Sequence, residues 1–294
     1  MKIEKQPLVS VVIPCFNHEN FVQQTIQSLI YQDYKNIELI IIDDGSKDSS
    51  VEKIKSLVSI CVNRFAKFYF IHRNNKGLCK TLNEAIDICS GEYFCCLASD
   101  DIILKDKISY QVKYLESNSE SIGVFGGVEV IGCVKNRILK KKGINKYYFN
   151  DIYLHQHMLM APTQMLRLNQ VKNVGGFKEG FLIEDWYMWL ALTKNGGSLD
   201  CIGKVFAKYR RHDNNISSKF ELMHSERLKI LEFYRGELYK KALAIEYLIY
   251  AEECASNSIF KSLRYIINSF KINKKIIFSK SFYRSIILSF IKSL

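Results

Sequence analysis

The sequence lacks the marks of several large classes of protein. Its nine cysteines include no Cys-x-x-Cys pair, and four of them lie in apolar runs, where a thiol behaves as a small hydrophobic group: Cys15, Cys61, Cys95 and Cys96. No stretch of about 18 uninterrupted apolar residues occurs, so we expect no membrane-spanning helix. The apolar run near the N-terminus is short, is broken by Pro14 and has no small-residue cleavage site after it, so it predicts a strand rather than a signal peptide. A protein of the reducing cytoplasm fits these absences best.

What is present is a basic chain with a globular composition. Of its 294 residues, 48% are hydrophobic, which is enough to bury a substantial core. Lys and Arg outnumber Asp and Glu by 42 to 30, giving a formal net charge of +12. Such a charge favours anionic partners, which include phosphorylated substrates, acidic lipids and nucleic acid.

Short apolar runs alternate with helical patterns from Leu8 onward, which predicts βαβ units. The predicted strands are Leu8 to Ile13, Ile37 to Ile42, Lys67 to Ile71 and Tyr93 to Leu97. The predicted helices are Phe21 to Ile30, Lys47 to Val58, Gly77 to Cys89 and Lys105 to Leu115, and Ser49 and Glu52 have the spacing of a capping box. Continuously apolar strands joined by helical crossovers predict an α/β fold with a mostly parallel sheet flanked by helices.

Polar residues follow each of these strands, at the edge where such sheets bind ligands. They are Pro14, Phe16 and Asn17; Asp43 and Asp44; His72 and Arg73; and Ser99, Asp100 and Asp101. Pro14 fixes the backbone, Phe16 offers a flat face to a base, and Asn17 can bond to the backbone or to a ligand. Any single strand-to-helix turn uses such residues, but four converging ends favour a binding site.

The adjacent carboxylates Asp100 and Asp101 suggest a compensating cation. Hard oxygen ligands of this kind suit Mg²⁺ or Mn²⁺ bound to phosphate oxygens. In the alternative, Asp101 caps the next segment and both carboxylates are solvated.

Two further elements offer contacts to a nucleotide diphosphate. Asp44, followed by Gly45, could accept a hydrogen bond from a base N–H or a ribose hydroxyl, or could only form a loop and cap the next helix. Arg73, Lys76 and Lys80 beside Gly77 could hold a pyrophosphate, although basic surface residues are common.

The second half of the chain contributes "GGFKEGFLIEDWYMWLALTKNGG". Asp185 opens a predicted helix there, and a carboxylate at a helix N-terminus serves as a cap or a base, of which the residues alone favour the cap. Further on, His212 follows Arg210 and Arg211, and it could bind a metal or a phosphate or be an ordinary loop histidine. The pair His155 and His157 is assigned no metal.

Taken together, these segments resemble family 2 inverting glycosyltransferases of the GT-A fold, and in particular bacterial enzymes that build capsule, O-antigen or related surface glycans. The matching motifs run in order from about Leu8 to Ser218: "VSVVIPCFNHENFVQQTIQSLIYQ", "IELIIIDDGSKDSS", "NKGLCKTLNEAI", "LASDDI", "GGFKEGFLIEDWYMWLAL" and "YRRHDNNIS". One position departs from the pattern, because Ala98 replaces the first carboxylate of the Asp-x-Asp motif.

The resemblance implies a role for each matching residue. The nucleotide-binding residues would be Pro14, Phe16, Asn17, Asp44, Arg73, Lys76, Gly77, Ser99 and Arg211. Asp100, Asp101 and His212 would bind Mn²⁺ or Mg²⁺, with more dependence on Asp101 or His212 because of Ala98. Asp185 would be the catalytic base, and Glu184 and Trp186 would face the acceptor. The implied reaction is a single in-line displacement that moves a sugar from a nucleotide donor, expected to be a UDP-sugar, to a glycan or lipid-linked acceptor.

Two other functions are compatible with a basic α/β chain. Another transferase of GT-A-like fold, such as a nucleotidyltransferase, would bind a nucleoside triphosphate, but no glycine-rich basic phosphate loop follows the first predicted strand of this sequence. A basic nucleic-acid-binding protein would cluster its cations with exposed aromatics, whereas here they concentrate in the C-terminal third. We therefore expect no nucleic-acid partner.

The C-terminal segment is predicted to be a helical extension, residues 221–294, beyond a catalytic domain at 1–220. From Ala255 to Leu294 it has no acidic residue, and apolar and basic side chains share its helical spacing: Phe282, Ile286 and Phe290 with Lys280, Arg284 and Lys292. Such a helix either docks peripherally on the inner face of the cytoplasmic membrane or packs on the catalytic domain, and the sequence favours neither.

Overall fold

The computed structural model describes residues 6–132, 136–212 and 215–291. They divide into two compact units. The first unit draws on Met1–Phe149, Met158–Glu179 and Met188–His212, and the second on Asn150–His157, Gly180–Tyr187 and Asp213–Leu294.

The first unit is built on one ten-stranded sheet. Its strands are β1 (Val9–Cys15), β2 (Ile37–Asp43), β3 (Lys67–His72), β4 (Tyr93–Cys96), β5 (Ile102–Ile103), β6 (Ser121–Ile131), β7 (Arg137–Leu139), β8 (Ile144–Tyr147), β9 (Met165–Arg167) and β10 (Ser198–Arg210). The order is β3-β2-β1-β4-β9-β6-β10-β5, with β7 beside β6 and β8 beside β10. The long ladders β3-β2-β1-β4 and β6-β10 are parallel, and the short strands β5, β7, β8 and β9 pair antiparallel.

Eight helices lie between these strands in the order of the described chain. They are α1 (Val22–Ile30), α2 (Ser50–Lys55), α3 (Val58–Arg64), α4 (Leu78–Ile88), α5 (Lys107–Glu116), α6 (Phe149–Tyr153), α7 (Leu168–Asn173) and α8 (Glu184–Thr193). Every residue of β2 is buried, as expected for a central strand of a sheet covered on both faces. The predicted α/β fold is confirmed, and the four predicted strands correspond to β1 to β4.

Two local predictions were wrong. The helix predicted from Lys47 to Val58 is broken into α2 and α3, and Ser49 caps nothing with its side chain. Instead, the Asp48 carboxylate accepts from the N–H of Ser50 at 3.0 Å and the Glu19 carboxylate accepts from the N–H of Ser49 at 2.9 Å. The carboxylates of Asp48, just before α2, and of Glu19, just before α1, therefore replace the capping box.

The second unit is helical beyond Phe220, as the sequence predicts. It contains α9 (Phe220–Phe233), α10 (Tyr239–Cys254), α11 (Ile259–Ile272) and α12 (Lys280–Ile291), with a 3₁₀ turn at Lys274–Phe278. No helix among the described residues is both long enough and apolar enough to cross a bilayer.

The last two helices bury small hydroxyl side chains and expose large apolar ones. Ser262, Ser269, Ser285 and Ser289 are fully buried, and the hydroxyls of Ser262 and Ser289 lie 2.6 Å apart. The exposed apolar residues are Phe260, Ile267, Phe270, Phe278, Tyr283, Ile287, Phe290 and Ile291. Of the predicted stripe, Phe290 is exposed, Phe282 and Ile286 are partly buried, and Lys292 lies outside the described residues.

The eight described cysteines are free thiols, and all except the half-buried Cys96 are buried. Burial raises the pKa of Cys15 and Cys89 to about 12, and that of Cys61 and Cys201 to about 11. These thiols are core residues, as their apolar sequence context predicts.

Candidate active site

The carboxyl ends of β3, β2, β1 and β4 lie along one edge of the sheet. Cys15 of β1 is in register with Asp43 of β2, and Asp43 is in register with His72 of β3. The chain leaves β1 toward β2 on one side, while β4 pairs with β1 on the other. Such a reversal of strand order opens a crevice at the carboxyl edge, which is where ligands bind in open α/β sheets.

The turn after β1 is tied to the loop after β2. Asn17 has a φ of 54°, a left-handed conformation that asparagine tolerates better than most residues. Its N–H donates to the Ser46 hydroxyl at 2.8 Å, and its side-chain oxygen accepts from the N–H of Lys47 at 2.8 Å. Asn17 therefore bonds to backbone, one of the two roles that the sequence left open. Phe16, 46% exposed, and the half-buried Pro14 flank this turn.

Asp44 organises the loop that follows β3. Its carboxylate accepts from the N–H groups of Lys76 at 2.8 Å and Gly77 at 2.9 Å, and it pairs with the Arg73 guanidinium. Gly77 has a φ of 88°, which favours glycine, and Arg73 also bonds to Glu84 at 2.9 Å. We call Asp44, Arg73, Lys76 and Gly77 the Asp44 cluster; the sequence predicted all four as nucleotide contacts, and the structure brings them together.

A second group lies between the ends of β1 and β4. His18, Asp100 and His212 each offer one ligand atom, and these atoms all lie within 4.8 Å of one another. The His212 Nε2 and Asp100 Oδ2 atoms are 2.9 Å apart, and His18 Nδ1 is 2.7 Å from the hydroxyl of Ser99. We call these three residues the His–Asp cluster. The sequence predicted Asp100 and His212 as metal ligands and missed His18.

The His–Asp cluster does not include Asp101, the other carboxylate predicted as a metal ligand. Asp101 is 1% exposed and accepts from the backbone N–H of Arg210 at 2.8 Å. Burial, and then the charge of Asp100, raises the pKa of Asp101 well above its usual range. In this structure Asp101 anchors the end of β10.

Arg210 and Phe21 support the cluster, and the sequence gave no role to either. The Arg210 guanidinium donates to the Asp100 carbonyl at 2.9 Å and lies over the Phe21 ring, 4.9 Å from its centroid. The Phe21 ring in turn stacks on His212 with centroids 5.0 Å apart. Arg211, predicted as a nucleotide contact, is exposed, and its N–H donates to the Ile131 carbonyl at 2.9 Å.

The donor set of the His–Asp cluster fits a divalent cation. Two imidazoles and one carboxylate are a recurrent set for first-row transition metals, with the remaining positions open to other ligands. Burial lowers the pKa of His18 against the opposing effect of Asp100, so this ring is held neutral, the form that binds metals.

Glu184 and Asp185 form the first turn of α8, in the part of that helix that belongs to the second unit. The Asp185 carboxylate accepts from the N–H of Trp186 at 2.6 Å. Burial raises the pKa of Asp185, while burial and then the Asp185 charge raise the pKa of Glu184 to about 8. Glu184 is therefore protonated near neutral pH more readily than an ordinary carboxyl group.

Trp186 is held from two sides within the second unit. Its indole N–H donates to the Ile152 carbonyl at 3.1 Å, and its ring stacks on His155 with centroids 4.3 Å apart. His155 lies 3.7 Å from the buried carboxylate of Glu246, which also accepts from Arg227 at 2.8 Å. His155 thus has a structural role next to the predicted catalytic turn.

Comparison with known proteins places these features in a family. A family model described as Glycosyl transferase family 2 matches residues 10–175. An uncharacterized glycosyltransferase of Rickettsia felis is 28% identical over 233 residues, 76% of this chain and 37% of that protein, so the chain spans little more than a third of that relative. The Escherichia coli UDP-Glc:alpha-D-GlcNAc-diphosphoundecaprenol beta-1,3-glucosyltransferase WfgD is 26% identical over 264 residues, 82% of this chain and 92% of that protein.

Two solved structures share the fold. S. aureus TarS 1–349 in complex with UDP-GlcNAc has a TM-score of 0.64 at 18% identity, covering 95% of this chain and 79% of that chain. The mannosyltransferase PcManGT of Pyrobaculum calidifontis, in complex with GDP-Man and Mn²⁺, has a TM-score of 0.64 at 13% identity, covering 98% of this chain and 87% of that chain.

Proposed function

This chain belongs to glycosyl transferase family 2 and is a glycosyltransferase of GT-A fold, and from that premise we propose that it transfers a hexose from UDP to a lipid-linked glycan acceptor with inversion at the anomeric carbon. The observation that carries the proposal is the placing of the Asp44 cluster and the His–Asp cluster along one carboxyl edge of the sheet. The first suits a nucleoside and the second suits a diphosphate with its cation. We propose surface polysaccharide synthesis as the pathway.

The nucleoside is proposed to bind at the Asp44 cluster. Three donors already hold the Asp44 carboxylate, and a carboxylate has about four lone-pair sites, so one remains for a base N–H or a ribose hydroxyl. The exposed ring of Phe16 offers a stacking face beside Pro14, and the 52% exposed Lys76 side chain and Arg211 offer charge to the diphosphate.

A divalent cation bound by Asp100 and His212 would offset the negative charge that develops on the leaving diphosphate. Ser99 orients His18 through its hydroxyl, and Arg210 fixes the Asp100 backbone. These contacts hold the ligands in place before the donor binds, which lowers the cost of reorganisation during the reaction.

Asp185 is proposed as the general base. A raised pKa makes its carboxylate a better acceptor for the proton of the acceptor hydroxyl, and proton transfer to a positioned base contributes roughly 10²- to 10⁴-fold in rate. Glu184, held protonated more readily, is proposed to donate a hydrogen bond on the acceptor side. Trp186, which was predicted to face the acceptor, is only 3% exposed, and its ring stacks on His155. Attack from the face opposite the leaving group gives inversion.

The acceptor proposal takes its support from a relative and from charge. WfgD is named for a diphosphoundecaprenol acceptor, and such a lipid would be met at a membrane surface. We propose that α11 and α12 dock on anionic lipid at the inner face of the cytoplasmic membrane, as part of an extension at 221–294 beyond a catalytic domain at 1–220. The exposed apolar side chains of these helices are interspersed with Lys271, Lys274, Lys275, Lys280 and Arg284, and no acidic residue follows Ala255.

The test is nucleotide binding and donor hydrolysis by the purified chain. We expect UDP to bind in the presence of Mn²⁺ by calorimetry, and one UDP-sugar of a panel of common UDP- and GDP-sugars to be hydrolysed slowly. Asp44→Asn should weaken UDP binding, whereas Asp33→Asn, at an exposed carboxylate, should not. Absence of binding and turnover across the whole panel would rule the proposal out.

A further inference from the structure

The His–Asp cluster offers a cation one carboxylate and two imidazoles, and Ala98, two residues before Asp100, brings no oxygen ligand. Resting on the proposed function, we propose that His18 is the third protein ligand of the cation, beside Asp100 and His212, and that this two-imidazole site selects Mn²⁺ or Co²⁺ over Mg²⁺.

The backbone brings His18 to the site by two independent ties. Its N–H donates to the Ser50 hydroxyl at 2.9 Å, which fixes the turn after β1. Its ring Nδ1 lies 2.7 Å from the hydroxyl of Ser99, a residue next to Asp100 on the loop after β4. Since β1 and β4 are neighbours in the sheet, the two loops meet and His18 faces Asp100 and His212, with all three ligand atoms within 4.8 Å.

Histidines that bind a metal through one ring nitrogen usually make a hydrogen bond with the other, and the Ser99 hydroxyl is placed to make that bond with His18. In the tautomer of His18 that donates from Nδ1 to the Ser99 hydroxyl, the lone pair that can bind a cation lies on Nε2. The Phe21 ring packs edge-on against His18, with centroids 5.9 Å apart, and stacks on His212. Both imidazoles are therefore restrained by the same aromatic side chain.

Ligand chemistry decides which cation such a site prefers. Carboxylate and water suit Mg²⁺, whereas imidazole suits transition metals, whose affinity rises from Mn²⁺ to Co²⁺ along the usual series. Exchanging a carboxylate for an imidazole removes one negative charge and one hard ligand. We therefore expect Co²⁺ and Mn²⁺ to bind at least about tenfold more tightly than Mg²⁺.

The experiment measures metal binding without nucleotide. Mn²⁺ affinity is read from the electron paramagnetic resonance of free Mn²⁺, Co²⁺ affinity from its visible absorption, and Mg²⁺ affinity by competition against Mn²⁺. His18→Ala should weaken Mn²⁺ and Co²⁺ binding at least about tenfold. His18→Asp should keep binding and shift the preference toward Mg²⁺. His157→Ala, in a histidine pair that was assigned no metal, is the matched control and should change nothing.

A readout on the unaltered chain guards against variants that fail to fold. Electron spin-echo modulation of bound Mn²⁺ counts coordinated imidazoles, and two are expected. One imidazole in the unaltered chain, or an unchanged Mn²⁺ to Mg²⁺ ratio in His18→Asp, would overturn the inference. If the inference fails in this way but the chain still turns over a UDP-sugar, the proposed function is retained. If two imidazoles bind Mn²⁺ but no nucleotide binds, the metal site is retained and the proposed function is ruled out.

Discussion

At the scale of single residues, the chemistry depends on carboxylates whose surroundings differ. Asp44 is held by three donors, Asp100 by His212, and Asp101 by the backbone of β10. Glu184 and Asp185, at the start of α8, have raised pKa values, as Asp101 does. The same side chain type therefore organises a loop at Asp44 and anchors a strand at Asp101, while the proposed roles of metal ligand and base fall to carboxylates with other partners.

Replacing Asp185 should separate catalysis from donor binding. Asp185→Asn keeps the size of the side chain and removes its ability to accept a proton, so transfer should fall by about 10²- to 10⁴-fold with UDP affinity unchanged. The measurement is single-turnover transfer together with calorimetry of UDP. Asp87→Asn, an exposed carboxylate on α4, should behave like the unaltered chain. Normal transfer by Asp185→Asn would mean that another residue is the base.

Glu184 should make stability depend on pH. Its pKa is raised from 4.5 to about 8, so the folded state holds this proton more tightly than the unfolded state does. The stabilising contribution is complete below 4.5 and is lost as pH rises toward 8, because the unfolded chain then binds fewer protons. Glu184→Gln should therefore raise the melting temperature at the alkaline end of this window and flatten its pH dependence.

The check is a melting curve at each pH for the unaltered chain and for two variants. Glu237→Gln, at an exposed side chain on the same unit, is the control and should follow the unaltered chain. Identical pH profiles for Glu184→Gln and Glu237→Gln would contradict the assignment.

At the scale of elements, the sequence predicted what is local. Strands β1 to β4 follow from continuous apolar runs, and α1, α4 and α5 follow from apolar periodicity, whereas the break between α2 and α3 was not predicted. Asp44 and Arg73 were found because each directly follows a strand. The contacts of His18 with Ser99 and of Arg210 with Asp100 join residues 81 and 110 positions apart. Those contacts depend on which strands are neighbours in the sheet. Strand β9, which lies between β4 and β6, has only three residues, too few for a recognisable pattern of apolar residues in the sequence.

One helix residue should control the loop after β4. The hydroxyl of the fully buried Thr25 on α1 lies 2.9 Å from the Ser99 carbonyl and 2.7 Å from the Asp101 carbonyl, so it can donate to either. Thr25→Val keeps the shape and leaves buried carbonyls without this donor, which should cost about 1–3 kcal/mol in the free energy of unfolding. Mn²⁺ binding should weaken as well, because the loop carries Asp100.

Thr193→Val provides the comparison for urea unfolding. Thr193 is also buried, but its hydroxyl donates at 2.8 Å to the carbonyl of Trp189 within α8, where the helix continues to satisfy the backbone. Its loss should be clearly smaller. Equal losses for the two variants would show that the Thr25 contacts do not hold the loop.

At the scale of the whole molecule, the excess positive charge is unevenly placed. Eight Lys and Arg residues and no Asp or Glu lie between Ala255 and Leu294. The sequence predicted helices there but could not say which side chains face outward, because four serines are buried in α11 and α12 beside a single large apolar residue, Ile266.

Vesicle flotation tests the membrane proposal. The chain should bind vesicles containing phosphatidylglycerol and not pure phosphatidylcholine, with binding that weakens as salt rises, since each cation near the surface contributes about 1 kcal/mol. Phe278→Ser combined with Lys274→Glu should reduce binding, whereas Ile144→Ser, at an exposed apolar residue of β8, should not. Salt-insensitive binding, or self-association through the same face seen by sedimentation, would contradict the proposal.

The buried thiols have a practical consequence. A thiol with a pKa of about 12 carries almost no thiolate at neutral pH, and a buried one does not meet an alkylating reagent until the surrounding structure opens. Most described cysteines lie in the first unit and Cys254 lies in the second. The rate at which an alkylating reagent labels each buried cysteine therefore measures how often the structure around that cysteine unfolds locally, and each of the two units contains at least one such cysteine.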